Sequence, residues 1–415
     1  MIARLVKCIW SLALLGTATV TLAAEVQRLP FEVRPVVAHQ QASTAFCWFH
    51  PRPAAIPAFG RAGPAVIVTL QKHLQQSDHY SGLHFLRTGD LGATWRGPTE
   101  IPELAMQTHD DGTSTSVADV TPGWHAQTAR LLLIGTKVRY DRAGVQLRDQ
   151  PHSRECAYAT FDPKTGRWSS WQMLAMPDEE RFFMVAAGCV QWLTQADGTV
   201  LVPMHFRGPQ GNRYSATVAH CRFDGQRLTY LKHGDELTVD EPRGLYEPSL
   251  AFYRGRYYLT LRNDVRGYVT TSRDALRFQR PKAWTFDDGK ELGSYNTQQH
   301  WLTHSDGLFL SYTRRGSSND HIFRHRAPLF MAQVDPERLH VLRDTEQVLI
   351  PERGVPLGNF GTAAVSPNES WVTDAEFHMD DKPHPRGANG SVYTVRVRWS
   401  RPNQLVGGNL KPQSR

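Results

Sequence analysis

The sequence predicts an all-β protein built as a ring of blades, a six-bladed β-propeller, and three observations predict it. Helical periodicity is almost absent after residue 24. Short apolar runs such as "PAVIVTLQ", "LHFLRTGD", "ARLLLIGTKVRY", "RYYLTLRND" and "GLFLSYTRR" are instead broken by Gly, Asp, Asn or Pro. One strand ending also recurs: an apolar run, a polar turn carrying Asp, then an aromatic residue or Leu. It reads "TGDLGATW" from Thr88, "FDPKTGRW" from Phe161, "FDGQRL" from Phe223, "SRDALRF" from Ser272 and "VDPERL" from Val334. The copies lie roughly 50–70 residues apart, the spacing of propeller blades. Finally, the residues after the leader number about 390, enough for six such units, with seven or five as alternatives. Sandwich and barrel are the other all-β solutions, and the repetition selects the propeller. A blade cannot bury both of its faces alone, so the units must stack in a ring.

The elements follow in order. Arg4 and Lys7 precede the apolar run "CIWSLALLGTATVTLAA", which ends in small residues at Ala23 and Ala24. Residues 1–24 therefore read as a secretory signal peptide, too short and wrongly flanked for a lasting membrane anchor. This predicts a secreted or periplasmic protein. Residues 25–400 form a single propeller domain, and 401–415 a flexible C-terminal tail. Without Arg4 and Lys7 the 47 basic residues become 45 against 40 acids, a net charge of about +5. The charges are scattered, and no nucleic-acid module, phosphate loop, dinucleotide fingerprint or esterase elbow is present. Four cysteines remain, Cys47, Cys156, Cys189 and Cys221, without a CxxC, and they read as buried free thiols. No metal or cofactor is expected, and the chain is expected to be a monomer.

"GLYEPSLAFYRGRYYLTLRND", Gly244 to Asp264, reads as a hairpin around Arg254-Gly255. A two-residue turn pairs 253 with 256, 251 with 258, 249 with 260 and 247 with 262. Glu247 would then face Arg262, while Leu250, Phe252, Tyr257, Leu259 and Leu261 point to the core. A cross-strand ion pair alone accounts for this arrangement, and it would contribute only ~0.2–1 kcal/mol if exposed.

Thr88-x-Asp90-x-Gly92-x-x-Trp95 resembles the Asp box of the sialidase (neuraminidase) superfamily. In that hairpin the Asp caps the turn, the Gly permits the bend and the Trp packs between strands. The resemblance extends over most of the mature chain. It implies an arginine cradle for a substrate carboxylate, matched here by Arg52 in "PRPAAIPAF", Arg262, and Arg326 in "HRAPLFMAQV". It implies an acid/base Asp ahead of the box, matched by Asp78 in "QQSDHYSG" with His79 beside it, and a Glu about fifteen residues before the second Arg, matched by Glu247. The family's nucleophilic Tyr falls in "LGNFGTAAVSP", where this chain has Phe360. Tyr295, Tyr246 or a water would have to substitute.

"GSYNTQQHW", Gly293 to Trp301, is rich in neutral hydrogen-bonding groups, among them Gln299 and His300, that suit sugar hydroxyls. Trp48 and Trp301 are candidate stacking platforms. "SYTRRGSSNDHIFRHR", Ser311 to Arg326, reads as a long polar loop over the same mouth. The sequence thus points to an exported glycosidase acting on a terminal acidic sugar. The set Asp78, Glu247 and Tyr295 would be catalytic; Arg52, Arg262, Arg326, His79, Gln299 and His300 would bind substrate. A propeller-type polysaccharide lyase acting by β-elimination and a non-catalytic carbohydrate-binding propeller are the alternatives.

Overall fold

The computed structural model describes residues 26–406 except 61–62, 77, 149–153 and 179. The predicted signal peptide and the last nine residues lie outside the described residues. The strands form six antiparallel sheets arranged as the blades of a propeller. From the inner strand outward, blade one is Cys47–Ile56, Ala65–His73, His84–Thr88 and Arg96–Glu100. Blade two is Ser114–His125, Arg130–Tyr140, Glu155–Asp162 and Arg167–Trp168. Blade three starts with an interrupted inner strand, Met184–Ala186 and Leu193–Thr194, followed by Thr199–Arg207, Ser215–Phe223 and Leu228–His233. Blade four is Tyr246–Tyr253, Arg256–Arg262, Tyr268–Ser272 and Lys282–Ala283. Blade five is His300–His304, Gly307–Tyr312, Leu329–Asp335 and His340–Val341. Blade six takes Gly361–Ser366, Glu369–Ala375 and Ser391–Trp399 from the end of the chain and Phe31–Gln40 from its start. That pairing closes the ring and makes Phe31–Gln40 the outer edge strand of blade six.

All five Asp-bearing turns join the third and fourth strands of a blade, as the repetition predicts. Each closes by the same chemistry. Asp90 Oδ1 accepts from Thr94 N at 2.9 Å and from Thr88 Oγ1 at 2.8 Å, and Gly92 N donates to Thr88 Oγ1 at 2.9 Å. Asp162, Asp224, Asp274 and Asp335 likewise accept backbone N–H groups two or three residues on. A carboxylate that satisfies turn N–H groups replaces the strand ladder where the chain reverses.

The core consists of apolar layers between blades. Leu132, Ile134 and Tyr158 of blade two pack on Val200, Val202 and Met204 of blade three, and Tyr258 of blade four packs with Trp301 and Leu310 of blade five. Both faces of a blade are therefore apolar, which explains two departures from the sequence reading. In blade four Ala251, Tyr253 and Tyr258 are buried on the face opposite Leu250, Leu259 and Leu261. Phe252, expected in the core, is exposed. Trp48 and Trp301, expected as possible platforms, are buried between blades.

Residues 401–406, expected as tail, lie against blades five and six. Asn403 is buried; its Nδ2 donates to Thr303 O at 2.8 Å, its Oδ1 accepts from Ser305 N at 2.9 Å, and its N–H donates to Pro367 O. Asn403→Ala leaves those strand-end groups unpaired, and we expect a loss of roughly 1–3 kcal/mol, read as a lower urea midpoint with unchanged slope.

Candidate active site

Four of the inner strands share one local device. Each is interrupted where a non-glycine residue takes a left-handed backbone: His50 (φ 53°) in blade one, Asp119 (φ 58°) in blade two, Cys189 (φ 57°) in blade three and Glu247 (φ 44°) in blade four. The register slips at these points, between Phe49 and Arg52, Ala118 and Thr121, and Tyr246 and Ser249. Such a conformation costs on the order of 1–3 kcal/mol per residue, so it persists only where the surroundings enforce it. The bulges turn consecutive polar side chains toward the ring axis. Gly188 is needed beside one of them, because a Cβ there would stand 2.7 Å from that of Asp119.

The bulge in blade four corrects the predicted hairpin. Residues 253, 251 and 249 pair with 256, 258 and 260 as expected, but Arg262 pairs with Tyr246, not Glu247. Pro248 has no N–H to donate to the ladder, and the strand buckles there. The ion pair forms nonetheless: Arg262 Nη1 donates to Glu247 Oε2 at 2.5 Å, with the two side chains 6% and 16% exposed. Arg262 Nη2 donates to Asn296 Oδ1 at 2.8 Å, and its guanidinium lies 4.8 Å from the Tyr246 ring centre. Burial works against the Arg262 charge, but the Glu247 carboxylate outweighs it and raises the pKa.

These side chains open onto an axial cavity of about 520 Å³. Seven arginines line it: Arg148, Arg154, Arg207, Arg243, Arg262, Arg324 and Arg326. Among the described residues three carboxylates do so: Asp78, Asp119 and Glu247. Arg326 and Arg262 meet at Asn296, whose backbone oxygen accepts from Arg326 Nη2 at 3.3 Å. Burial, then the Arg262 and Arg324 charges, lower the Arg326 pKa. Asp78 is exposed at the cavity and accepts from the Tyr80 hydroxyl at 3.1 Å. The loop between Tyr312 and Leu329 contributes Phe323, Arg324 and Arg326, as the polar stretch suggested.

Other predicted residues lie elsewhere. Arg52, Gln299, His300, His79 and Tyr295 are not among the residues that line the cavity. Arg52 and His300 are buried in a polar layer of the inner strands. Arg52 Nη1 donates to Phe360 O at 3.0 Å and to His300 Nε2 at 3.2 Å, so His300 carries its proton on Nδ1 and donates it to Ser249 Oγ at 2.9 Å. Gln299 is buried between blades four and five, held by Thr260 and Ser294. The His79 ring packs 4.6 Å from that of Tyr140. The Tyr295 hydroxyl bonds His325 Nδ1 at 2.6 Å, and Tyr246 donates its hydroxyl to Asp264. Phe360 is fully buried.

Asp119 and Asn359 are among the cavity residues that escaped the sequence reading, as are Arg154, Arg207, Arg243 and Tyr214. Asp119 Oδ1 accepts from Cys189 Sγ at 2.7 Å, meets His50 Nδ1 at 3.0 Å and accepts from Asn359 Nδ2 at 3.2 Å. Its backbone N–H bonds Gln71 Oε1 and its carbonyl accepts from Cys189 N. Every hydrogen bond to this carboxylate among the described residues arrives at Oδ1, and the side chain is 22% exposed. Cys189, expected as a buried thiol, gave the only sequence hint. All four cysteines are free and buried.

No family model matches the chain, and no curated protein matches it. Solved structures do. Trypanosoma rangeli sialidase bound to the inhibitor DANA is 12% identical with a TM-score of 0.58, over 88% of this chain and 59% of that one. A phage phi92 endosialidase is 11% identical with a TM-score of 0.57, over 93% and 72%. The NanB sialidase of Streptococcus pneumoniae is 11% identical with a TM-score of 0.55, over 88% and 70%. This chain thus spans about three-fifths of the trypanosomal protein. At these identities the likeness is one of fold: a six-bladed propeller of the sialidase kind.

The buried imidazoles make stability depend on pH. Burial holds the pKa of His50, His205 and His300 well below the usual value, helped by neighbouring arginines. The unfolded chain takes up these protons below about pH 6.5, so stability falls as pH drops through that point. Asp374 opposes this, because burial raises its pKa to about 7. These four groups leave a net difference of about two protons, each worth about 1.4 kcal/mol per pH unit, and burial of His39, His73, His79, His84, His220 and His304 lowers their pKa values and adds in the same direction. Thermal melts from pH 7 to pH 5 should show a falling Tm, and His205→Gln should flatten the slope by about one proton's worth.

Proposed function

We propose that the protein cleaves a glycosidic bond next to an anionic sugar, with the sugar's carboxylate held in the axial cavity by Arg262 and Arg326. The supporting observation is the cavity's charge, seven arginines against three carboxylates, at the point where the Arg262–Glu247 pair reaches the axis. A guanidinium has five N–H groups; Glu247 and Asn296 occupy few of them, and a planar carboxylate fits the rest.

Asp78, at the rim, is the carboxyl placed to protonate the leaving oxygen once bound substrate shields it from water. Glu247 is committed to Arg262 and fixes the orientation of that guanidinium. Phe360 stands where the sialidase resemblance expects a tyrosine, so a water is the nucleophile. Asp119 presents Oδ2 to take its proton, since its other oxygen is saturated by Cys189, His50 and Asn359. Attack by water in one step inverts the anomeric centre. Export, expected from the first 24 residues, fits a glycan substrate.

A second reading is β-elimination. It is favoured by His205, which burial and then Arg154, Arg243 and Arg262 hold neutral in the same cavity, with the Tyr214 ring 5.2 Å away. A neutral imidazole and a phenol are the base and acid that elimination needs.

Incubation with sialoglycans and with uronate polymers tests both. Hydrolysis releases a saturated sugar; elimination gives an unsaturated product that absorbs in the ultraviolet. Arg262→Ala should lower turnover by about a hundredfold or more while the circular dichroism spectrum is unchanged. Asp119→Asn should lower kcat with little change in KM. Binding without any product would reject catalysis in favour of a lectin-like role.

A further inference from the structure

We propose that the cavity contains a second anion subsite, formed by Arg154, Arg207 and Arg243 around Tyr214, and that the natural ligand is an oligosaccharide with at least two anionic groups. This rests on the reading of the cavity as a site for an anionic saccharide.

Arg154 and Arg207 of the second group come from blades two and three, while Arg243 lies at the entry to blade four and shares the Tyr246 ring with Arg262. Arg154 bridges to Met184, and Met184 pairs with Arg207, so blades two and three bring the two arginines to either side of one strand. The Arg207 and Arg243 guanidinium carbons each lie 5.8 Å from the Tyr214 ring centre. Arg243 also stacks on Tyr246 at 4.3 Å, and Asp264 partners it at 3.3 Å. His205 packs edge-on to Tyr214, with Arg154 and Arg243 of this group, and Arg262 of the first pair, acting on its imidazole.

The charge of this group is not balanced. Among the described residues, neither Arg154 nor Arg207 has a carboxylate partner. Arg154 Nη2 donates to Gln146 Oε1 at 2.8 Å, and Arg207 Nη1 donates to the Gly211 carbonyl at 2.8 Å. The three cavity carboxylates among the described residues are engaged elsewhere: Glu247 by Arg262, Asp119 by Cys189 and Asn359, Asp78 by Tyr80. Converging cations without counter-charge destabilise a partly enclosed site, and an anion relieves this. One planar carboxylate accepts the fork of one or two arginines, so a carboxylate held by Arg262 and Arg326 leaves Arg154 and Arg207 without an anion. A second negative group on the next sugar supplies one.

Calorimetry with galacturonic acid, its linear trimer and the trimer methyl ester tests the subsite, alongside N-acetylneuraminic acid and its dimer. The acidic oligomers should bind at least about tenfold tighter than the monomers, with a steeper loss in salt, and the neutral ester should lose that gain. Arg154→Gln/Arg207→Gln should bring an oligomer down to the monomer's affinity and leave the monomer unchanged. A single Arg207→Gln gives the same direction if the double variant folds poorly. Equal affinity for monomer and oligomer, or an oligomer preference kept by the variants, overturns the second subsite and leaves the first intact. If no acidic saccharide of either length binds, the reading of the whole cavity falls, and this inference with it.

Discussion

The site depends on one backbone constraint, the left-handed residue that interrupts the inner strands. A regular inner strand alternates its side chains between the two neighbouring blades, and both of those surfaces are apolar. It cannot aim a polar group along the axis without breaking its register. The bulges at His50, Asp119 and Glu247, with the gap at Cys189, do this. The strain they carry is held by ladders on either side and by cross-ring hydrogen bonds such as Asn359 to Asp119. The same slip lets Glu247 meet Arg262 although Tyr246 is the residue opposite it in the ladder.

Beneath the cavity lies a buried hydrogen-bonded layer built around the Arg52 guanidinium. Arg52, His300, Ser249 and the Phe360 carbonyl hydrogen-bond in sequence, and Gln191 ties Trp301 to Thr362. This layer fixes inner strands from several blades against each other. It positions the cavity residues and adds the Arg52 charge beneath them, so ring closure and site geometry are one mechanical problem.

Much of this was legible in the sequence, for identifiable reasons. The Asp-bearing turns are local, governed by side-chain hydrogen bonds within a few residues, and so they marked every third-to-fourth hairpin correctly. Glu247 and Arg262 were legible because a hairpin brings them together whatever the register detail. The bulge was less so, although Pro51 and Pro248, each following a left-handed residue, carry its signal as missing N–H donors. Asp119 and Asn359 were invisible because they belong to blades two and six and meet only across the closed ring. Arg52 shows the converse. Its place in the chain suggested the cradle, yet the inner strand of blade one sends it into the polar layer. Phe252 fell outside the core because alternation along a strand says which residues share a face, not how far the neighbouring blade extends over it.

The account stands on the axial arginines meeting an anionic sugar. A crystal structure with a bound acidic oligosaccharide tests this most directly. The account predicts a carboxylate in fork geometry on Arg262 and Arg326, with the glycosidic oxygen turned toward Asp78. A saccharide seated on the outer face of a blade, or in the cavity with its carboxylate turned away from both arginines, would contradict it.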